Sequence, residues 1–206
     1  MCDGKCGCKN SPDLVAKFAK FKEGATIPTK ENEDAGYDLY ACFDQDEIVI
    51  EEGEVKMIPT GIVTAFSEDW MAMIKERGST GFRGMSLKAG VVDSSFRGEW
   101  MVLINNSSYK VIIISKDVNK TFKNLYANYK SKFYDTLKPD RKKAVNEKEF
   151  VENIVDRTTT IYPYTKAIAQ FQFLPVPKAV IEEVSLEEVF AVESKRGTGM
   201  LGSSKK

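Results

Sequence analysis

The chain has 206 residues, 42% hydrophobic and 29% charged, which is the composition of an ordinary soluble globular protein long enough for one or two domains. Thirty basic residues balance thirty acidic ones, so no broad field draws it to nucleic acid or to a membrane, and any anionic ligand has to be held by local groups. There is no histidine, which excludes Ser-His and Cys-His nucleophile pairs, the HExxH zinc motif and His-ligated oxygenase iron; general-base work falls to a carboxylate, lysine, cysteine or tyrosine.

In chain order, the opening MCDGKCGCKN places Cys2, Cys6 and Cys8 close together, while Cys42 lies far off beside an apolar run. Three thiolates could form part of a soft-metal site, but no fourth ligand is near, and residues 1–13 read as a reduced, flexible tail. This stretch lacks the apolar centre of a signal peptide, and no apolar run approaches the roughly 18 residues that span a bilayer, so the expected location is the cytoplasm.

From about residue 35 to 115 the apolar residues fall in short runs broken by Gly, Pro, Asn or Ser: EIVI (47–50), KMIPTGIVTAF (56–66), WMAMIKE (70–76), EWMVLINN (99–106) and YKVIIIS (109–115). Their close spacing without intervening helices predicts an antiparallel barrel or sandwich. The period then changes. Residues 117–138 place Val118, Phe122, Leu125, Tyr129, Phe133 and Leu137 at helical spacings, predicting an amphipathic helix closed by Pro139. A second helix is expected over 146–157, with Asn146 and Glu149 at capping-box spacing.

Strand composition resumes at 158–176, so the expected layout is a mainly β barrel over 14–114 and 159–190, interrupted by a helical insertion at 115–158. The last residues, 191–206, contain the Gly- and Ser-rich SKRGTGMLGSSKK and read as a flexible arm.

Five segments combine small residues with a charged or polar group: DAGYDLYA (34–41), ERGSTG (76–81), AGVVDSSFRGEW (89–100), KAIAQFQF (166–173) and RGTGMLGSS (196–204). Glycine lets a ligand approach backbone N–H groups, and Arg, Ser and Gln beside it supply phosphate donors, so together they suggest a polyphosphate pocket. Any surface hairpin also shows Gly and Ser between apolar pairs, with Asp favoured near the turn. Asp93 alone is therefore ambiguous, and the companion segments are what lift it.

In their order and spacing these segments resemble the five motifs of the homotrimeric dUTPases, over roughly residues 15–204 apart from the insertion; a helical insertion suits a phage or Firmicute member. The resemblance implies a jelly-roll-like β-clip barrel and Mg²⁺-assisted hydrolysis of dUTP to dUMP and pyrophosphate, limiting uracil in DNA and supplying dUMP for thymidylate synthesis. It assigns Asp93 to activating the attacking water and Asp38 to holding Mg²⁺ through its waters. Arg77, Gly78, Ser79 and Gln170 would contact phosphates, the backbone at Gly90 and Val91 would read uracil, and Phe96 would pack on the deoxyribose in place of the usual tyrosine. Arg196, Leu201, Gly202 and Ser203 would close over the substrate, Arg196 at the γ-phosphate and Ser203 at a terminal phosphate oxygen. Departures from the family pattern are Gly78 for a serine, Ala167 for an arginine, Met200 for a glycine and Leu201 for a phenylalanine. A homotrimer with shared active sites follows from the same resemblance.

Two other classes of function compete. The dCTP deaminases share the fold but use a glutamate on the strand after the hairpin, where this chain has Leu103, which cannot relay protons. The other is a non-catalytic dUTP sensor or partner-binding protein, with a regulatory partner docking on residues 115–158; Lys120, Lys123, Lys130 and Lys132 would serve there, although a solvated helix face is the commoner explanation of such residues.

Overall fold

Strand-forming segments dominate the computed structural model, which describes residues 14–195, 197 and 198. Short strands rich in Val, Ile and Met alternate with Gly- and Asp-containing turns, as the sequence predicts: β1 (Lys17–Lys20), β2 (Tyr37–Leu39), β3 (Glu47–Ile50), β4 (Val55–Pro59), β5 (Ile62–Ala65) and β6 (Trp70–Lys75). A single helical turn, α1 (Gly78–Gly81), precedes β7 (Met85–Lys88), β8 (Val91–Val92), β9 (Met101–Asn106) and β10 (Val111–Ser115). After the helical segment come β11 (Thr159–Pro163) and β12 (Ala169–Pro175).

The strands form four small sheets, ordered β1-β5, β11-β10-β3, β2-β12-β6-β8 and β4-β9-β7. Strand β9 shows how alternation sets the packing: Val102, Ile104 and Asn106 point inward and are buried, while Met101, Leu103 and Asn105 between them are partly exposed. The core includes Leu39, Ile50, Ile58, Trp100, Ile112 and Phe171, with the Trp100 and Phe171 rings edge-on at 5.1 Å. Polar groups inside are satisfied; the Trp100 indole N–H donates to Thr64 Oγ1 at 3.1 Å, and the Asn106 amide donates to the carbonyls of Ile50 and Lys110.

The helical segment departs from the prediction in an informative way. Helix α2 (Val118–Tyr129), capped by the Asp117 carboxylate accepting from the Lys120 N–H, continues as a π-helical turn over Lys130–Tyr134 instead of running regularly to Pro139. Pro139 does not close that helix; it opens a further one, α3 (Pro139–Ala144), because its missing N–H costs nothing in a first turn. Helix α4 (Glu147–Thr158) starts as expected, with the Asn146 side chain accepting from the Glu149 N–H at 3.1 Å. Helix α2 packs on α4 and on β11.

These helices join β10 to β11, which pair in parallel, whereas the other strand pairs described are antiparallel. A parallel pair requires a long crossover, so the inserted helices form the connection that closes this edge of the fold. The helices therefore belong to the same compact unit as the strands.

That unit ends at Val176, and a second begins at Pro177, within the stretch that the sequence reading assigned to the barrel. The second unit carries α5 (Leu186–Ala191), whose Ser185 cap accepts from the Glu188 N–H. Cys2, Cys6, Cys8, Arg196, Met200, Leu201, Gly202 and Ser203 lie outside the described residues.

Candidate functional site: a phosphate-side cavity and an acidic hairpin

Strand pairing brings the first group of residues together. Gln170 on β12 lies in register with Asp38 on β2 and with Lys75 at the end of β6, and the chain leaving β6 turns through Glu76 and Arg77 into α1. Arg77 Nε donates to Asp38 Oδ1 at 2.9 Å, and Gln170 Nε2 donates to the Glu76 carbonyl at 3.0 Å. Gly36 leaves room for the Gln170 side chain where it lies, since a methyl there would stand 2.7 Å from Gln170 Oε1.

Asp38, Arg77, Gly78, Ser79 and Gln170 line one cavity of about 330 Å³, together with Asp34, Ala35 and Gly36. Gly78 faces open space, and the Ser79 carbonyl is fixed by Arg83, whose guanidinium donates to it at 2.7 Å. Burial raises the Asp38 carboxyl above its ordinary pKa; the Arg77 guanidinium pulls it back, and the neighbouring Asp34 charge adds to the rise. A larger cavity of about 730 Å³ lies elsewhere, lined by Phe18, Tyr37, Trp70 and Phe173 and by no charged side chain. The Arg77 guanidinium and the Gln170 donor, rather than size, make the smaller cavity the candidate anion site, with Asp34 and Asp38 beside them.

The second group is the hairpin after β7. Ala89 adopts a positive φ of 50°, a conformation that side-chain-bearing residues rarely take, and Gly90 follows with its carbonyl accepting from the Ile74 N–H at 2.7 Å. A methyl on Gly90 would meet the Ile74 carbonyl oxygen at 2.3 Å, so only glycine lets the hairpin lie this close to β6. The Asp93 carbonyl accepts from the Phe96 N–H at 3.1 Å, closing the turn, and Arg97 donates to the carbonyl of Phe96 at 3.0 Å. Glu99 ties the base of the hairpin down by accepting the Gly61 N–H at 2.7 Å.

Val91, Asp93 and Phe96 line a separate cavity of about 220 Å³ with Ala89, Glu99 and Trp100. Asp93 is exposed, and Phe96 is 45% exposed with its ring lying over Gly98. Ala167, where an arginine was expected, is buried and gives its carbonyl to the Tyr162 hydroxyl at 2.7 Å.

The predicted residues thus form two half-sites. Both belong to the β2-β12-β6-β8 sheet but line separate cavities: Asp38 lies on edge strand β2, Gln170 on β12 and Arg77 just after β6, whereas Asp93 follows the other edge strand, β8. Three contributors were not anticipated from the sequence: Asp34 and Thr80, which sit inside the quoted motifs, and Glu99, whose partner Gly61 is 38 residues away. Among the described residues no three Asp, Glu, Cys or His side chains converge as a metal cage. The pair Asp34 and Asp38 at an anion-binding cavity suits Mg²⁺, which takes one or two carboxylates and completes its shell with phosphates and waters.

A family model described as dUTPase matches residues 22–119, ending as α2 begins. The chain is 31% identical over 99 residues to the deoxyuridine 5'-triphosphate nucleotidohydrolase of Leptospira interrogans, covering 46% of this chain and 68% of that protein. It is 33% identical over 100 residues to the Pol polyprotein of caprine arthritis encephalitis virus, 48% of this chain, and spans only 9% of that polyprotein's length. Among solved structures, the dUTPase of Staphylococcus bacteriophage 80alpha with dUpNHpp superposes over 93% of this chain and 99% of its own, with a TM-score of 0.61 and 15% identity. The dUTPase from phage phi11 of S. aureus, in a mutant form with a structural Mg(II) ion, covers 82% of this chain and 96% of its own at a TM-score of 0.54 and 14% identity. These two likenesses establish a shared fold.

Proposed function

Because the chain belongs to the dUTPase family, we propose that it hydrolyses dUTP to dUMP and pyrophosphate in the cytoplasm, using the two half-sites together. The observation that carries this reading is the coexistence of a polar, donor-lined cavity, in which Arg77 stands with Asp34 and Asp38, and a backbone-pinned hairpin that presents Asp93 to solvent.

Asp93 takes a proton from the attacking water. Its carboxylate is exposed, its backbone is fixed by the turn, and no histidine competes for the task. Arg77 leaves Asp38 for a phosphate oxygen when the triphosphate enters, and the Gly78–Ser79 segment and Gln170 complete the phosphate contacts. The freed Asp38, with Asp34, would hold Mg²⁺. When bound, the ion would offset the charge on the triphosphate oxygens. The Gly90 carbonyl is taken by Ile74, so uracil recognition at this point rests on the remaining backbone groups of Gly90 and Val91. Phe96 presents its half-exposed ring to the deoxyribose.

The separation of the half-sites supports assembly of each active site from several copies, as a homotrimer. The hairpin would come from one subunit, the phosphate cavity from a second, and the arm with Arg196, Leu201, Gly202 and Ser203 from a third. Deamination of dCTP has no support at Leu103 on β9, which lies opposite Met57 of β4 with no carboxylate in its place.

A second role, docking of a regulatory protein on residues 115–158, is favoured by one observation. Lys132, Lys138, Arg141 and Lys143 are exposed within 12 residues, giving the α3 region a local positive charge in a chain of zero net charge. The test of the main reading is pyrophosphate release with Mg²⁺ from dUTP, dCTP, dTTP and UTP in parallel. Selective cleavage of dUTP is expected. Binding of dUTP without cleavage would transfer the reading to a nucleotide sensor.

A further inference from the structure

Thr80 is fully buried, and its hydroxyl grips Arg77 twice: Oγ1 accepts the Arg77 N–H at 2.9 Å and donates to the Arg77 carbonyl at 3.0 Å. The peptide on the other side of that N–H is held as well, because the Glu76 carbonyl accepts from Gln170 Nε2 at 3.0 Å. The Arg77 carbonyl has further support, receiving the N–H groups of Thr80 and Gly81 at 3.1 and 2.9 Å. The Thr80 hydroxyl is therefore the side chain that fixes the amide end of Arg77, and with it the direction in which the guanidinium leaves the backbone toward Asp38 and the cavity.

From this we infer that Thr80 is the positioning residue of the phosphate cavity, setting through the Arg77 backbone how well the guanidinium meets a polyphosphate. The inference deepens the dUTPase reading and rests on it for the identity of the substrate. A flexible arginine in an open cavity loses conformational freedom on binding; a backbone locked from both sides reduces that loss. Position 78 makes the lock necessary. Gly78 is the least restricted residue the chain could place next to Arg77, and a side chain there would meet nothing within 4 Å, so on this side of Arg77 the side-chain hydrogen bonds to its backbone are those of Thr80.

The test compares Thr80→Val, which keeps the shape and removes the hydroxyl, with Thr80→Ser, which keeps the hydroxyl and removes the methyl. Each is made in the full chain and again with Arg77→Gln. Two quantities are read: affinity for inorganic tripolyphosphate by calorimetry in EDTA, and kcat and KM for dUTP with Mg²⁺. Thr80→Val is expected to weaken tripolyphosphate binding about tenfold, with Thr80→Ser restoring it. In the Arg77→Gln background the same substitution should change affinity little, while the urea midpoint falls equally in both backgrounds.

Equal loss of affinity with and without Arg77 would overturn the inference, as would an unchanged Thr80→Val. Should Thr80→Val not fold, Thr80→Ser decides alone, since loss of tripolyphosphate affinity in a variant that keeps the hydroxyl contradicts the proposed role. A wild-type protein that binds tripolyphosphate but leaves dUTP intact removes the dUTPase reading and leaves this test standing; one that binds no tripolyphosphate removes both.

Discussion

The phosphate-side cavity and the Asp93 hairpin both belong to one four-stranded sheet, yet they are secured by different means. Around the cavity, charged and polar side chains hold one another: Arg77 on Asp38, Gln170 on the Glu76 carbonyl, Thr80 on the Arg77 backbone. In the hairpin the backbone is fixed by Gly90 against Ile74 and by Glu99 against Gly61, while the Asp93 carboxylate, the proposed base, is left exposed. In the proposed reaction the Arg77 backbone is set before the ligand arrives, while its guanidinium exchanges Asp38 for a phosphate oxygen. A general base needs only a fixed mount and a free carboxylate until a substrate, and in the proposed assembly a second subunit, covers it.

The sharpest way to break the comparison is to remove the free carboxylate. Asp93→Asn is expected to lower turnover by about 10² to 10⁴ while leaving the unfolding midpoint unchanged, because the side chain is exposed. Steady-state kinetics and a urea titration on the same preparation check both halves of that statement, and a shifted midpoint would mean the carboxylate also has a structural role.

The mount is probed by Gly90→Ala. A methyl 2.3 Å from the Ile74 carbonyl oxygen has to push the hairpin off β6, at a cost of about 3 kcal/mol in stability. Turnover should fall with it, since Asp93 moves with its support. Unaltered stability by chemical denaturation would show that the hairpin is less tightly set than its contacts indicate.

The smallest effect is expected at Asp38. Burial raises its folded-state pKa, so the folded chain holds that proton more tightly than the unfolded chain does. The stabilising contribution is fully present below the unfolded value, about 4, and is lost as pH rises through the folded value. Across mildly acidic pH, stability should therefore decline with rising pH more in the wild type than in Asp38→Asn. An opposite slope in urea midpoints would mean that the Arg77 ion pair, rather than burial, governs this carboxylate.

Much of the fold was legible because it rests on local periodicity. Strand β9 alternates cleanly, and the Asp117 and Asn146 caps announce α2 and α4. Pro139 misled because proline both ends helices and begins them, and the choice depends on the residues that follow. The parallel pairing of β10 with β11 was not legible, since strand direction is set by the crossover and not by the composition of either strand. Within the site, the motifs named the charged residues but not the supports. Thr80 reads as one more small polar residue in ERGSTG until its hydroxyl is seen to face Arg77, and Glu99 depends on Gly61, a contact between distant parts of the chain.

The account's central claim is that the two half-sites act together across copies of the chain. It is tested most directly by co-expressing Asp93→Asn with Arg77→Ala, each inactive alone. If the hairpin and the phosphate cavity of an active site come from different subunits, random mixing in equal amounts pairs an intact hairpin with an intact cavity in about a quarter of the sites, and dUTP hydrolysis should return to that level. No recovery from mixed oligomers containing both chains would contradict the claim and place both halves of each site on a single chain.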